Sequence, residues 1–219
     1  MKKILFSAVL AFMAIGLVNA QAERKAVAKM TEKELNEKAA KAARKEAKNL
    51  EKEGWQIAPG ALPIDKQLDK TYRMQYEQDD YGYPKYIMGE AMSIGQNYDA
   101  AKMQALELAK QNMAGQIQTE VTALIENTVA NNQLGEEEAA SVTKSVMASK
   151  NLISQSIGRV VPVMEVYRTD AKTRNKEVLV RIAYNSDMAR KAAINAVKKQ
   201  LEQEGMDLHG KLDKLLENK

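Results

Sequence analysis

Hydrophobic and polar residues alternate in two neighbouring segments, a pattern typical of half-buried β-strands. Over 160–169 one face would carry Val160, Pro162, Met164 and Val166. Pro162 indicates an edge position or a strand entrance. Over 177–184 the two faces would carry Val178, Val180, Ile182 and Tyr184 on one side and Leu179, Arg181 and Ala183 on the other. The polar stretch 170–176 between the segments predicts a β-hairpin.

A third strand is predicted earlier, at 86–94, because this segment is rich in β-forming residues and is bounded by Pro84 and Gly95. Gly89 inside the segment indicates a β-bulge.

Apolar residues spaced by three and four predict helices between and after the strands. The first helix starts with Asn97 or Asp99 as its N-cap, and its inward face is Leu106, Ala109, Met113, Ile117, Val121 and Leu124. The second runs from Glu136 to about Ile157, with Ala139, Val142, Val146, Leu152 and Ile153 mostly inward. A last helix is capped by the segment 185–187, and Gly205 separates it from a helical tail over 205–219.

The order β-α-α-β-β-α over 85–204 predicts a compact α+β domain. Its sheet would be three-stranded, mainly antiparallel and covered by long helices. Each strand has one strongly apolar side, so the helices are expected on one face of the sheet.

Residues 21–54 predict a charged, alanine-rich helical arm. Thr31 and Glu34 form a capping box, and Gly54 followed by Trp55 is typical of a helix C-terminus. The apolar stripe is mostly alanine and buries little area. We therefore expect a solvated or loosely docked arm, and the alternative is a coiled-coil or client-gripping arm.

Residues 55–84 begin with a Pro/Gly-rich linker and continue as a short helix. Pro63 suits the first turn of that helix, because its missing N–H is not needed there. The apolar face repeats every four residues, at Ile64, Leu68, Tyr72 and Tyr76. The segment 79–84 ends the helix with turn-forming residues.

The N-terminus predicts a signal peptide over residues 1–20. Lys2 and Lys3 precede an apolar run that ends at Val18, which is short for the ~30 Å hydrocarbon core of a bilayer. Small residues then permit cleavage after Ala20 or after Ala22.

The alternative to a cleaved signal is a retained membrane anchor. No later segment has eighteen uninterrupted apolar residues, so we expect an exported chain without a transmembrane segment, periplasmic or associated with the outer membrane.

Cysteine is absent from the chain, which excludes disulfides, thiol catalysis and cysteine-ligated metals. The formal charge of +4 falls to +2 once Lys2 and Lys3 are removed. This weak excess, interspersed with acids, predicts that nucleic acid is not a partner.

No constellation of residues supports catalysis, so we expect that the protein is not an enzyme and has no cofactor or metal site. His209 is the single histidine and has no neighbouring cysteine or pair of carboxylates, so a ligand or base role is not expected. Asp79 and Asp80 lack the ligand spacing of a calcium loop, which favours a solvated turn.

Tyrosine is concentrated in one segment. Five of the eight tyrosines fall within fifteen residues, at Tyr72, Tyr76, Tyr81, Tyr83 and Tyr86. Tyrosine provides a stiff, amphipathic contact area and is enriched at interfaces. These residues are the predicted partner-binding set. The alternative is that they pack the short helix and order the loop.

The segments 89–94, 98–109 and 113–117 together resemble a known family. They read Gly-Glu-Ala-Met-Ser-Ile, then an alanine-spaced helix, then Met-Ala-Gly-Gln-Ile. This pattern is similar to that of small outer-membrane surface lipoproteins, roughly twenty kilodaltons in size, which share their domain with flagellar basal-disk and H-ring assembly proteins. The resemblance covers about 85–200 and implies a non-enzymatic envelope domain used in assembly. Those lipoproteins carry a lipidated cysteine, which this chain lacks.

These patterns predict a non-catalytic structural or assembly protein of the cell envelope that acts through protein–protein contacts. The expected partners are other envelope proteins or further copies of the chain. The alternative is a holdase-like periplasmic chaperone for outer-membrane proteins, suggested by the charged arm.

Overall fold

A computed structural model of the chain describes residues 32–58, 60–79, 82–130 and 136–203. These residues form six helices and four strands. In chain order the elements are α1 (Glu32–Lys52), β1 (Gln56–Ile57), α2 (Ile64–Tyr76), β2 (Tyr86–Gly95), α3 (Tyr98–Ala130), α4 (Glu136–Ala148), α5 (Lys150–Ser156), β3 (Val161–Thr169), β4 (Lys176–Asn185) and α6 (Ser186–Gln203). The predicted signal peptide and the predicted tail over 205–219 lie outside the described residues.

The α+β class is confirmed, but the sheet has four antiparallel strands, in the order β1-β3-β4-β2, where three were predicted. The missed strand is β1, which pairs with Val166 and Tyr167 of β3. Two residues are too short to show any period. The strand forms because Gly54 ends the preceding helix with φ +84° and Trp55 is buried, which brings the chain alongside β3.

One face of the sheet packs against the long helices. The predicted alternation of β4 is confirmed, because Val178, Val180 and Ile182 are buried in a core with α3 to α6. Asn97 accepts a hydrogen bond from the backbone N–H of Ala100, and Asn185 accepts one from Met188. Each side chain satisfies a free donor at a helix N-terminus, so α3 and α6 begin where predicted. The predicted helix from Glu136 to Ile157 is two helices, α4 and α5, which meet at Ser149.

The other face of the sheet is also covered, so the expectation of helices on one face is wrong. Helices α1 and α2 pack there with Trp55 and the β3 side chains Met164 and Val166. In α1, Ala43 and Ala47 are only 1% and 2% exposed. These residues form a second core, separate from the first core that the sheet forms with α3 to α6. The described part of the arm is therefore a docked helix, because its small alanines allow close packing in this second core.

The predicted single apolar face of β3 is also wrong. Val160 packs against the first core, whereas Met164 and Val166 belong to the second. The pairing register of β3 with β4 shifts between Pro162 and Met164, and this irregularity exchanges the faces. Pro162 lies at the strand entrance, as expected.

Candidate functional site

A groove with a volume of about 600 Å³ lies between α2, the outer strand β2 and α3. Its lining residues are Thr71, Tyr72 and Gln75 from α2, Met88, Gly89 and Glu90 from β2, Asn112 and Gln116 from α3, and Arg181 from β4. We call it the β2 groove. It is the candidate functional site because it combines a concave surface with converging polar and charged side chains.

Two side-chain amides of α3 cover the outer edge of β2 within this groove. The Asn112 Nδ2 donates to the carbonyl oxygen of Glu90 at 2.8 Å, and the Gln116 Nε2 donates to that of Met88 at 2.9 Å. Asn112 and Gln116 are one helical turn apart, which matches the two-residue step between outward-facing carbonyls of a strand. The edge of β2 is therefore occupied by α3 at these positions.

Gly89 permits this close approach of α3. A Cβ atom at this position would lie 2.5 Å from the carbonyl oxygen of Ala109. The predicted bulge at Gly89 is wrong, since β2 pairs with β4 in one uninterrupted register. The glycine is needed for the helix contact and not for a kink in the strand.

A network of hydrogen bonds and ion pairs joins four elements at one wall of the groove. Arg181 on β4 donates to Glu46 on α1 at 2.7 Å and also to Glu90 on β2. The Tyr72 hydroxyl on α2 donates to the other carboxylate oxygen of Glu46. The network connects both covering helices to the sheet and fixes the positions of Tyr72 and Glu90 in the groove.

This environment shifts the acid–base behaviour of two groups. Burial, together with the hydrogen bond to Glu46, raises the pKa of Tyr72 to about 12. Burial lowers the pKa of Arg181, but the hydrogen bonds and charges of Glu46 and Glu90 outweigh this effect and raise the pKa. Tyr72 is thus neutral and Arg181 charged at physiological pH. With two carboxylates and one guanidinium, the wall carries one formal negative charge.

The structure brings one residue of the predicted tyrosine set into the groove. Tyr72 lines it. Tyr76 and Tyr83 are 40% and 51% exposed, at the end of α2 and in the following loop. Tyr86 begins β2 and pairs with Asn185. Tyr81 lies outside the described residues, so the proposed role of the set as one surface stays a prediction.

A second polar cluster lies at the start of α3. Tyr98 donates its hydroxyl hydrogen to Glu165 of β3, and Lys102 lies 2.9 Å from the same carboxylate. The Tyr98 and Tyr167 rings are in edge-to-face contact at 5.3 Å. Burial, followed by the hydrogen bond to Glu165, raises the pKa of Tyr98. Because its partners already satisfy these groups, we assign the cluster to the attachment of α3 to β3.

The residues of the β2 groove can bind through hydrogen bonds, charge and apolar contact. Within residues 32–58, 60–79, 82–130 and 136–203, no group of three or more His, Cys, Asp or Glu residues could hold a metal ion. Asp80 and His209 lie outside these ranges. In the same part of the chain no helix is long and apolar enough to cross a membrane.

Sequence reasoning missed most of the groove. A charged residue at Arg181, between apolar Leu179 and Ala183 on one face of a strand, was the available signal for a polar contact on that face. The roles of Asn112 and Gln116 had no local signal, because their partners are backbone atoms of β2.

No protein-family model, curated protein or solved structure matches this chain. The resemblance of 85–200 to the small surface lipoproteins therefore stays a prediction from the sequence.

Proposed function

We propose that this protein is a non-catalytic structural or assembly component of the bacterial cell envelope, and that it binds another envelope protein in the β2 groove. The observation that supports the proposal is the groove itself. Tyr72, Met88 and Glu90 are presented together at the edge of the sheet by elements that the Arg181 network fixes in place.

The composition of the groove favours a polypeptide segment as its ligand. Tyr72 and Met88 provide apolar contact area, while Gln75, Asn112 and Gln116 provide amide groups that suit backbone and side-chain hydrogen bonds. Glu46 and Glu90 outnumber Arg181 by one formal charge. A segment with a basic side chain near Glu90, which is half-exposed, would complement this charge.

The proposed location rests on the sequence. The charged n-region, the short apolar run and the small residues before Ala20 and Ala22 are typical of a cleaved export signal. The resemblance over 85–200 implies an envelope assembly domain as well. The chain has no cysteine, so lipid attachment at a cysteine would not hold the protein there.

Site-directed photo-crosslinking in intact cells tests the proposal. A photoreactive residue replaces Gln75, which is exposed at the groove, and the matched control carries it at Lys172, exposed in the β3–β4 turn. We expect one or two recurrent envelope proteins to be captured from position 75 and not from position 172. Equal capture from both positions would contradict the assignment to the groove.

The same experiment separates the proposed function from the chaperone alternative. A holdase would crosslink to a broad range of unfolded outer-membrane proteins, and it would do so from several surface positions. Such a spread would replace the assembly hypothesis.

A further inference from the structure

The positive charges of α1 lie on the side of the helix that faces away from the core. At 100° per residue, the buried positions Ala43, Ala47 and Leu50 centre on one side of α1. The six cations between residues 38 and 52 lie on the opposite side, within an arc of about 120°. They are Lys38, Lys41, Arg44, Lys45, Lys48 and Lys52.

The second core fixes the orientation of this charged face. Ala43 and Ala47 are almost fully buried, and Glu46, on the flank of the helix, pairs with Arg181 of β4 at 2.7 Å. Because α1 cannot rotate without breaking these contacts, its basic side stays directed outward. From Lys41 to Lys52 it extends about 16 Å along the helix.

Most of these cations have no partner in the described part of the chain. Lys41, Arg44, Lys45, Lys48 and Lys52 are exposed, and among the described residues none of the five forms an ion pair. The exposed residues beside them include Glu37 and Glu51, so the outward face between residues 37 and 52 carries four excess positive charges.

The chemistry of this face disfavours a protein or a single-stranded nucleic acid as its partner. Its exposed positions between residues 37 and 52 are all charged residues or Asn49, with no apolar or aromatic side chain. Protein interfaces have an apolar or aromatic core in which lysine is depleted. Single-stranded nucleic acids are bound by aromatic stacking as well as by charge. A row of lysines without either feature suits a surface of repeated negative charges.

We propose that the outward face of α1 binds the surface of an anionic phospholipid bilayer. The contact is electrostatic and peripheral, because the apolar side of α1 is already buried against Met164 and Val166 and is not available for insertion. Each lysine near an anionic membrane surface contributes about fivefold to the partition coefficient. No described residue of α1 lines the β2 groove, so the charged face can be tested separately from the groove.

The test is sedimentation of the purified protein with vesicles that contain phosphatidylglycerol, compared with vesicles of phosphatidylcholine alone. The triple variant K41E/K45E/K48E reverses three positive charges on the outward face of α1. The matched control K144E/K172E/K191E changes three exposed lysines on other elements and gives the same net charge. Intact mass verifies that all samples share one N-terminus, so residues 1–20 do not contribute to any difference between them.

We expect the wild type and the control to bind the anionic vesicles at low salt and to be released at about 1 M salt, where the Debye length is ~3 Å. The α1 variant should bind at least about a hundredfold more weakly. Should the α1 variant unfold, K41Q/K45Q/K48Q tests the same face without charge reversal and should still bind more weakly than the control.

Three results would overturn the inference. The first is an equal loss of vesicle binding in the α1 variant and in the control. The second is vesicle binding that does not respond to salt, and the third is absence of binding of the wild type to phosphatidylglycerol vesicles. Salt-dependent binding of duplex DNA without lipid binding would assign the face to nucleic acid instead.

Discussion

A Cβ atom built on Gly89 would lie 2.5 Å from the carbonyl oxygen of Ala109. This distance is well below van der Waals contact and the neighbour is backbone, so β2 and α3 would have to separate to admit a side chain. The contact of this strand with this helix forms one side of the β2 groove, and it depends on the absence of a single methyl group.

Gly89→Ala should therefore destabilise the protein, by about 1–3 kcal/mol as for other overpacked cores. The measurement is urea unfolding, monitored by circular dichroism. Gly115→Ala is the matched control in α3, because a Cβ there would meet only the flexible end of Lys150 at 3.6 Å. It should stabilise the helix by about 0.5–1 kcal/mol. Equal effects of the two substitutions would contradict the packing argument.

The sequence predicted the elements whose determinants are local. In β4 the alternate residues Val178, Val180, Ile182 and Tyr184 pack in one core. Asn97 and Asn185 cap helices through donors three residues away. Strand alternation and helix caps depend on residues that are close together in the chain, so they can be recognised from a single sequence. The short strand β1 is different, since its two residues pair with β3 only after Trp55 has packed into the second core.

The candidate site could be predicted only in part, because its contacts are distant in sequence. Glu46 and Arg181 are separated by 135 residues, and no spacing rule relates them. The tyrosine density did indicate Tyr72, but the reason for its position is Glu46 on α1, the helix interpreted as a solvated or loosely docked arm. Small alanines bury little area yet allow close packing. A hydrophobic pattern alone therefore does not distinguish an alanine-rich helix that is solvated from one that is docked.

The docking of α1 can be tested by enlarging one buried alanine. Ala43→Leu should cost about 1–3 kcal/mol of unfolding free energy, because Ala43 is 1% exposed against the second core. Ala42→Leu, at a partly exposed neighbouring position, should change stability by no more than about 0.5 kcal/mol. Thermal and urea unfolding of the two variants would show equal, small effects if α1 were a solvated arm.

The amides of Asn112 and Gln116 should prevent association of β2 with other chains. Asn112→Ala with Gln116→Ala leaves the carbonyls of Glu90 and Met88 without these donors, and an uncovered strand edge pairs readily with another strand. We expect a stability loss of about 1 kcal/mol and concentration-dependent self-association, measured by light scattering.

The control for the edge variant changes the same helix away from the strand. Glu107→Ala with Lys110→Ala removes side chains that lie outside the groove, and this variant should keep the oligomeric state of the wild type. Identical scattering from both double variants would show that the amides of α3 do not protect the edge.

The Tyr72–Glu46 contact predicts a dependence of stability on alkaline pH. The phenol is neutral when protonated, and burial with the Glu46 hydrogen bond raises its folded-state pKa from 10.0 to about 12. The folded state therefore holds this proton more tightly than the unfolded state. The resulting stability is fully present below pH 10 and is lost as the pH rises through about 12.

Tyr72→Phe cannot titrate, so the difference in unfolding free energy between wild type and this variant should shrink across that range. Tyr76→Phe removes an exposed hydroxyl one turn away on α2 and should follow the wild-type curve. A wild-type advantage over Tyr72→Phe that stays constant from pH 9 to 12 would show that the hydroxyl is not held by Glu46.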